Sequence, residues 1–148
     1  MTILRLGPGD LGLMNGLLEM FDAAFGAPDA YGQARPSAEY QRRLLGDPGF
    51  VALAKVVESR VVGGLAAYEL VKFEQERSEF YIYDLAVAET HRRQGIATAL
   101  IGRLKKIAAE RGAYVVFVQA DYGDDAAIAL YSKLGTREDV LHFDIAVP

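Results

Sequence analysis

Tyr81-Ile82-Tyr83-Asp84-Leu85-Ala86-Val87, continued after a short break by His91-Arg92-Arg93-Gln94-Gly95-Ile96-Ala97, decides how this chain is read. Phe80 to Val87 is nearly continuous in large apolar residues, the pattern of a strand covered on both faces at the centre of a sheet. Ile96, Leu100, Leu104 and Ile107 then stack at helical spacing, with Ala97, Ile101 and Ala108 beside them and Gly112 as a stop. The first turn of such a helix holds amides without intrahelical partners, and small residues ahead of it let an anion reach them. Gly95 removes a side chain that would block that approach, and Ala97 keeps the second gap small. Arg92 and Arg93 sit where the helix dipole disfavours cations by up to ~1 kcal/mol, a sign that a bound diphosphate would reverse. The plainer reading is a solvated turn eased by glycine. The strand before and the helix after favour the anion site.

Outward from this segment the chain reads as α/β (α+β), with a mixed sheet and flanking helices. Thr2 to Leu6 is a first strand, closed by Gly7-Pro8-Gly9, and Leu11, Met14, Leu17, Leu18, Phe21 and Phe25 mark helix one. Gly26 to Pro36 is a loop, Ser37 starts a short helix ending near Gly46, and this region is expected to contribute to a substrate lid. Phe50 to Val57 and Val61 to Leu70 form an antiparallel hairpin across Glu58-Ser59-Arg60, and Lys72 to Glu79 is a second connection. Tyr114 to Gln119 is a buried strand, Asp124 and Asp125 cap a helix running through Leu134, and Val140 to Val147 is a last strand.

The 148 residues suit one domain spanning 1–148 with its own core. No apolar run approaches the ~20 residues of a membrane span, and Met1 to Asp10 lacks a signal-peptide pattern, so a cytoplasmic location is expected. The absence of cysteine excludes thiolate metal sites and a cysteine nucleophile, and His91 and His142 lie too far apart to form a local metal motif. A formal charge of −4 disfavours nucleic acid as a partner and favours a cationic substrate.

Arg92-x-x-Gly95-x-Ala97 after a central strand resembles the acyl-CoA signature of the Gcn5-related N-acetyltransferases (GNAT), and Ala129-Leu130-Tyr131-Ser132-Lys133-Leu134-Gly135 resembles their later helix-to-strand motif. The strings from Lys72 to Glu79, from Tyr81 to Val87 and from Gln119 to Asp125 are similar to the gentamicin-type aminoglycoside 3-N-acetyltransferases. The resemblance implies the GNAT fold, with a mostly antiparallel central sheet, acetyl-CoA as donor and CoA as product, no metal, and a homodimer. It implies that the backbone at Leu85, Ala86 and Val87 pairs with the pantetheine arm, and that Arg92, Arg93, Gln94, Gly95, Ile96, Ala97 and Thr98 surround the diphosphate. It also places Asp84 beside the amine to be acetylated, with Tyr83 next to it, and sets Tyr131 to protonate the departing sulfur. The early region and Gly26 to Pro36 follow the family less clearly, which leaves the sugar-ring specificity open.

Acetyl transfer from a thioester to an amine needs a neutral nucleophile, a place for its proton, donors for the oxyanion and a proton or dipole for the thiolate. Asp84 is the only charged residue in Phe80 to Val87, so it either faces a polar site or is a costly buried charge. An ordinary aspartate, with a pKa of ~3.9, is a weak base, which suits the residue to orienting an ammonium group and taking its proton through water. The alternative is a carboxylate satisfied by backbone amides or an arginine. Tyr131 would otherwise be a packing residue. Oxyanion stabilisation is expected from the amide near Leu85 or Ala86. Glu79, beside Glu74 and Glu76, and Asp121, Tyr122, Asp124 and Asp125 are candidates for holding a polycation, with Asp124 and Asp125 equally explained as caps. His142 is an alternative base or a packed residue. With the resemblance, the expected reaction is transfer of acetyl from acetyl-CoA to an amine of a polycationic small molecule, the 3-amino group of a 2-deoxystreptamine aminoglycoside, with antibiotic resistance as the implied consequence. A polyamine or protein N-terminal amine acetyltransferase, or a non-catalytic acyl-CoA-binding module, are the rivals.

Overall fold

The computed structural model describes residues 1–26 and 35–148. Along the chain these form β1 (Leu4–Arg5), α1 (Leu11–Phe25), α2 (Ala38–Leu45), β2 (Phe50–Val57), β3 (Arg60–Val71), β4 (Ser78–Val87), a 3-10 turn at Glu89–His91, α3 (Ile96–Glu110), β5 (Ala113–Val118) and α4 (Asp125–Leu134). The sheet runs β1-β2-β3-β4-β5, antiparallel except for the parallel pair β4 and β5. Residues 27–34, most of the expected loop and lid, lie outside the described residues.

Local chemistry explains the boundaries. Ser37 Oγ accepts from the Tyr40 amide at 3.2 Å, opening α2 with a side-chain cap. Asp124 does the same for α4 through the Ala127 amide at 3.3 Å. Gly112 takes φ 78° just past α3, the left-handed stop expected there. The β2–β3 hairpin closes on only two residues, Glu58 and Ser59, both at positive φ (49° and 65°), as a twist-matched hairpin turn requires.

The sheet is covered on both faces. On one, α1 and α2 bring Met14, Leu17, Met20, Phe21 and Leu45 against Phe50, Ala52 and Ala54. On the other, α3 brings Ile96, Leu100, Leu104 and Ile107 against Val51, Leu53, Leu65 and Phe80. At the centre of β3 these layers approach so closely that a Cβ on Gly64 would overlap Leu17 and one on Gly63 would lie 2.6 Å from Ile96 Cγ2. A buried clamp ties the far end of β3 to α3: Glu69, 4% exposed at its side chain, accepts from Arg111 Nη2 at 2.7 Å, Arg111 Nε at 2.8 Å and Ser78 Oγ at 2.7 Å.

Three expectations are corrected, the first being the buried strand from Tyr114 to Gln119: β5 has Tyr114 and Val115 exposed and no fully buried residue. β4 lies inside the sheet, but it is not covered on both faces along its length: Ser78, Phe80 and Ile82 are buried while Tyr83 is 60% exposed. The apolar run conceals a period of two, because its tyrosines carry hydroxyls that suit a wet face. The segment 140–147 is not a strand of this sheet. It has no regular structure, and Leu141, Phe143, Ile145 and Val147 are 76–89% exposed. Its alternation is real, yet nothing among the described residues pairs with it.

Candidate active site

β4 and β5 stay paired only from Ser78–Ala113 to Ile82–Val118, after which they part. On the other side of β4 the ladder to β3 continues to Gly63–Val87, but it passes from Ala67–Ile82 directly to Ala66–Asp84. Tyr83 is therefore an extra residue, a β-bulge that bends β4 at the point where it loses β5. Beyond the bulge, alternate backbone groups of Asp84, Leu85, Ala86 and Val87 face the gap instead of a neighbouring strand.

The gap is a cleft of about 580 Å³ walled by Tyr81, Ile82, Tyr83, Asp84 and Leu85 on one side and by Val118, Gln119, Ala120 and Asp121 on the other. Phe25, Asp124, Ala127 and Tyr131 close it. Asp84 is half-buried in this wall. Tyr131 projects from α4, and burial first, then Asp124, raises its phenol above the ordinary 10. That hydroxyl keeps its proton throughout the neutral range.

At the open end of the gap, the chain passes from β4 through the 3-10 turn to α3. Arg92 folds its guanidinium back, Nε donating to the Val87 carbonyl at 3.2 Å, so this arginine also secures the strand end. Arg93 (φ 62°) and Gly95 (φ 80°) are both left-handed, and α3 begins at Ile96 without a side-chain cap. Gly95 is needed for that backbone conformation, not for room inside the fold: a Cβ there would meet no protein atom within 4 Å. Gln94, Gly95 and Thr98 are exposed, Ala97 is half-buried and Ile96 anchors the turn in the core. The helix start is thus an open cradle of amides, which fits a diphosphate.

The other predicted residues divide. Asp121 lines the cleft, and Asp124 does so while capping α4. Tyr122, 83% exposed, lies under Arg137 at 5.9 Å, and Asp125 is exposed in the first turn of α4. Glu79 is not brought to the cleft. Five residues from Asp84, roughly 16 Å along the strand, it accepts from Tyr114 Oη at 2.9 Å and pairs with Lys72 at 3.9 Å. His142 lies on the exposed tail with Nε2 2.9 Å from Asp144.

A row of aromatics at the cleft was not anticipated. Phe50 and Tyr68 (5.3 Å between centroids), Tyr68 and Tyr83 (5.8 Å), Tyr83 and Tyr81 (6.0 Å), and Tyr81 and Phe117 (4.8 Å) run across four strands. Tyr81 Oη also donates to Gln119 Oε1 at 2.8 Å, spanning β4 and the exit of β5. Burial first, and then neighbours including Tyr83 and Asp84, push the Tyr68 and Tyr81 phenols up. The Tyr81-x-Tyr83 spacing was the available signal. Pairing with Tyr68 and Phe117 depends on register, which local sequence does not disclose.

A mostly antiparallel sheet split beside a bulged central strand, with an uncapped helix start at the mouth of the split, is an acyltransferase architecture. The chain belongs to the acetyltransferase (GNAT) family, whose profile matches residues 14–136. It is similar to an aminoglycoside acetyltransferase from an uncultured soil metagenomic sample, 58% identical, with a TM-score of 0.97 covering 99% of this chain and 98% of that one. A second aminoglycoside acetyltransferase from such a sample, crystallised with sisomicin, is 34% identical, with a TM-score of 0.90 covering 99% and 96%. An acetyltransferase of Sodalis glossinidius is 32% identical over 99 residues, which is 67% of this chain and only 65% of that relative's length.

Proposed function

We propose that this acetyltransferase is a cytoplasmic enzyme that transfers acetyl from acetyl-CoA to the 3-amino group of 2-deoxystreptamine aminoglycosides, conferring resistance to gentamicin-like drugs. The observation that carries the reading is the cleft itself, where the Asp84 carboxylate, a row of tyrosines and the acidic Asp121 face one another. A polyamine sugar presents ammonium groups to the carboxylates and ring faces to the aromatics. Its similarity to two aminoglycoside acetyltransferases supports the same substrate class.

The donor supplies an activated acetyl thioester. The amides of Gln94 to Thr98, with Arg92 and Arg93, would hold its diphosphate, and the free edge at Leu85, Ala86 and Val87 would hold its pantetheine arm. Asp84 orients the substrate ammonium and takes its proton through water, leaving a neutral amine. A backbone amide at Leu85 or Ala86 polarises the acetyl carbonyl. Tyr131 donates a hydrogen bond to the sulfur. A phenol above 10 is a poor acid toward a thiolate of ordinary pKa ~8.5, so stabilisation of the charge, rather than complete proton transfer, carries its effect. Acetylation removes a positive charge from the drug, which weakens its attraction to RNA.

The test is CoA thiol release with acetyl-CoA and gentamicin, sisomicin, kanamycin, apramycin, spermidine or short peptides, followed by NMR location of the acetyl group. Turnover with gentamicin-like drugs and acetylation at the 3-amino group is expected. Preference for spermidine or peptides, or another acetylated position, would contradict it.

A further inference from the structure

Tyr81 stands at the fork where the sheet opens. It is in register with Phe117 of β5, one step before the last pair, Ile82–Val118. Its ring lies flat on the Phe117 ring, 4.8 Å between centroids and 4° from parallel. From there its hydroxyl reaches forward and donates at 2.8 Å to Oε1 of Gln119, the first residue past the end of β5. A side-chain hydrogen bond therefore bridges the two chains where the backbone ladder has just ended.

The same ring touches the opposite wall. Tyr81 meets Tyr83 edge-on (6.0 Å, 73°), and Tyr83 is edge-on to Tyr68 (5.8 Å, 88°). Tyr83 is the bulged residue next to Asp84, so its ring packing braces the backbone that carries the carboxylate. On the other side, Gln119 leads into a turn closed by the Asp124 amide donating to the Asp121 carbonyl at 3.2 Å, and Asp124 caps the helix that carries Tyr131. Tyr81 is thus common to both walls of the cleft. An exposed hydrogen bond adds little to global stability, because water replaces either partner. Here stacking on Phe117 has already fixed the ring, so the bond costs little side-chain freedom and its main consequence is geometric. Burial first, then Tyr83 and Asp84, raise the Tyr81 phenol above 10, so the hydroxyl remains a donor throughout the neutral range.

We propose that Tyr81 is a positioning residue: through Phe117 and Gln119 it fixes how far β4 and β5 splay, and so sets the separation of Asp84 from Tyr131 for acetyl transfer. The inference rests on the roles proposed above for Asp84 and Tyr131. Misplacing reacting groups by about 1 Å can cost on the order of 10²-fold in rate, so a loosened latch acts on kcat. The amide cradle belongs to α3, outside the latch, and affinity for CoA is spared.

Tyr81→Phe keeps the ring and its stack and removes the donor, and Gln119→Ala removes the acceptor. With whichever amine of the panel the wild-type enzyme acetylates, each should lower kcat roughly 5- to 30-fold, with the calorimetric Kd for CoA changed by less than about twofold. Because both substitutions break one bond, the double variant should be no more than about twofold slower than the slower single one. On the substrate-free protein, both should speed amide hydrogen exchange across residues 119–124 and leave the β2–β3 hairpin as protected as in the wild type. That signature needs no amine, so a failed catalytic reading, shown by wild-type turnover in Asp84→Asn, is told apart from a failed latch. An unchanged kcat in Tyr81→Phe, unchanged exchange over residues 119–124, or losses that multiply in the double variant overturn the proposal.

Discussion

Gly63 lies directly under Ile96: a Cβ on the glycine would come within 2.6 Å of Ile96 Cγ2. Gly63 pairs with Val87 at the end of β4, and Ile96 is the first residue of α3. The contact therefore sets how the amide cradle meets the open edge of β4. Gly63→Ala must displace Ile96 or the helix start, at a cost of about 1–3 kcal/mol. The expected result is a KM for acetyl-CoA raised roughly 5- to 100-fold with a smaller change in kcat, measured by thiol release.

Asp84 follows the bulge at Tyr83, where β4 has lost β5. Asp84→Asn keeps the shape and removes the charge. A fall in kcat/KM for the amine of about 10²- to 10⁴-fold, with calorimetric affinity for CoA unchanged, is expected. Wild-type turnover would remove the carboxylate from the reaction.

Tyr131→Phe should lower kcat by roughly 10- to 100-fold. Because burial and Asp124 raise the wild-type phenol above 10, its ionisation gives no alkaline fall in rate below about pH 10. A pH–rate profile of both proteins checks this. A kcat unchanged in the variant would point to packing alone.

Glu69 is the acid-sensitive point of the fold. Burial raises its pKa, but hydrogen bonds from Arg111 and Ser78 outweigh burial and hold it below 4.5. A lowered folded-state pKa means that its stabilisation is present above the unfolded value of about 4.5 and is lost as pH falls through the folded one. Glu69→Gln should lose about 1–3 kcal/mol at pH 7, read as a drop in Tm of roughly 2–10 °C. The gap to wild type should narrow below pH 4.5. An equal gap at pH 7 and pH 3 would show that the charge contributes nothing.

Much of this molecule is legible locally. Ser37, Asp124 and Gly112 announce helix ends through backbone hydrogen bonding and φ, which short stretches determine. The helix start at Gly95 is legible for the same reason. Long-range register is not. The bulge at Tyr83 exists only relative to Ala66 and Ala67, the aromatic row depends on which strands are neighbours, and Glu79 is drawn away by Tyr114 and Lys72. In the tail, alternation between residues 140 and 147 predicts a strand, but no partner strand among the described residues pairs with it and the segment stays irregular.

The most direct test of the site is a crystal structure with CoA bound. The diphosphate should lie within hydrogen-bonding distance of the amides between Gln94 and Thr98, with the thiol in the gap between β4 and β5 beside Asp84 and Tyr131. A nucleotide bound elsewhere, with the turn before Ile96 unoccupied, would contradict the account.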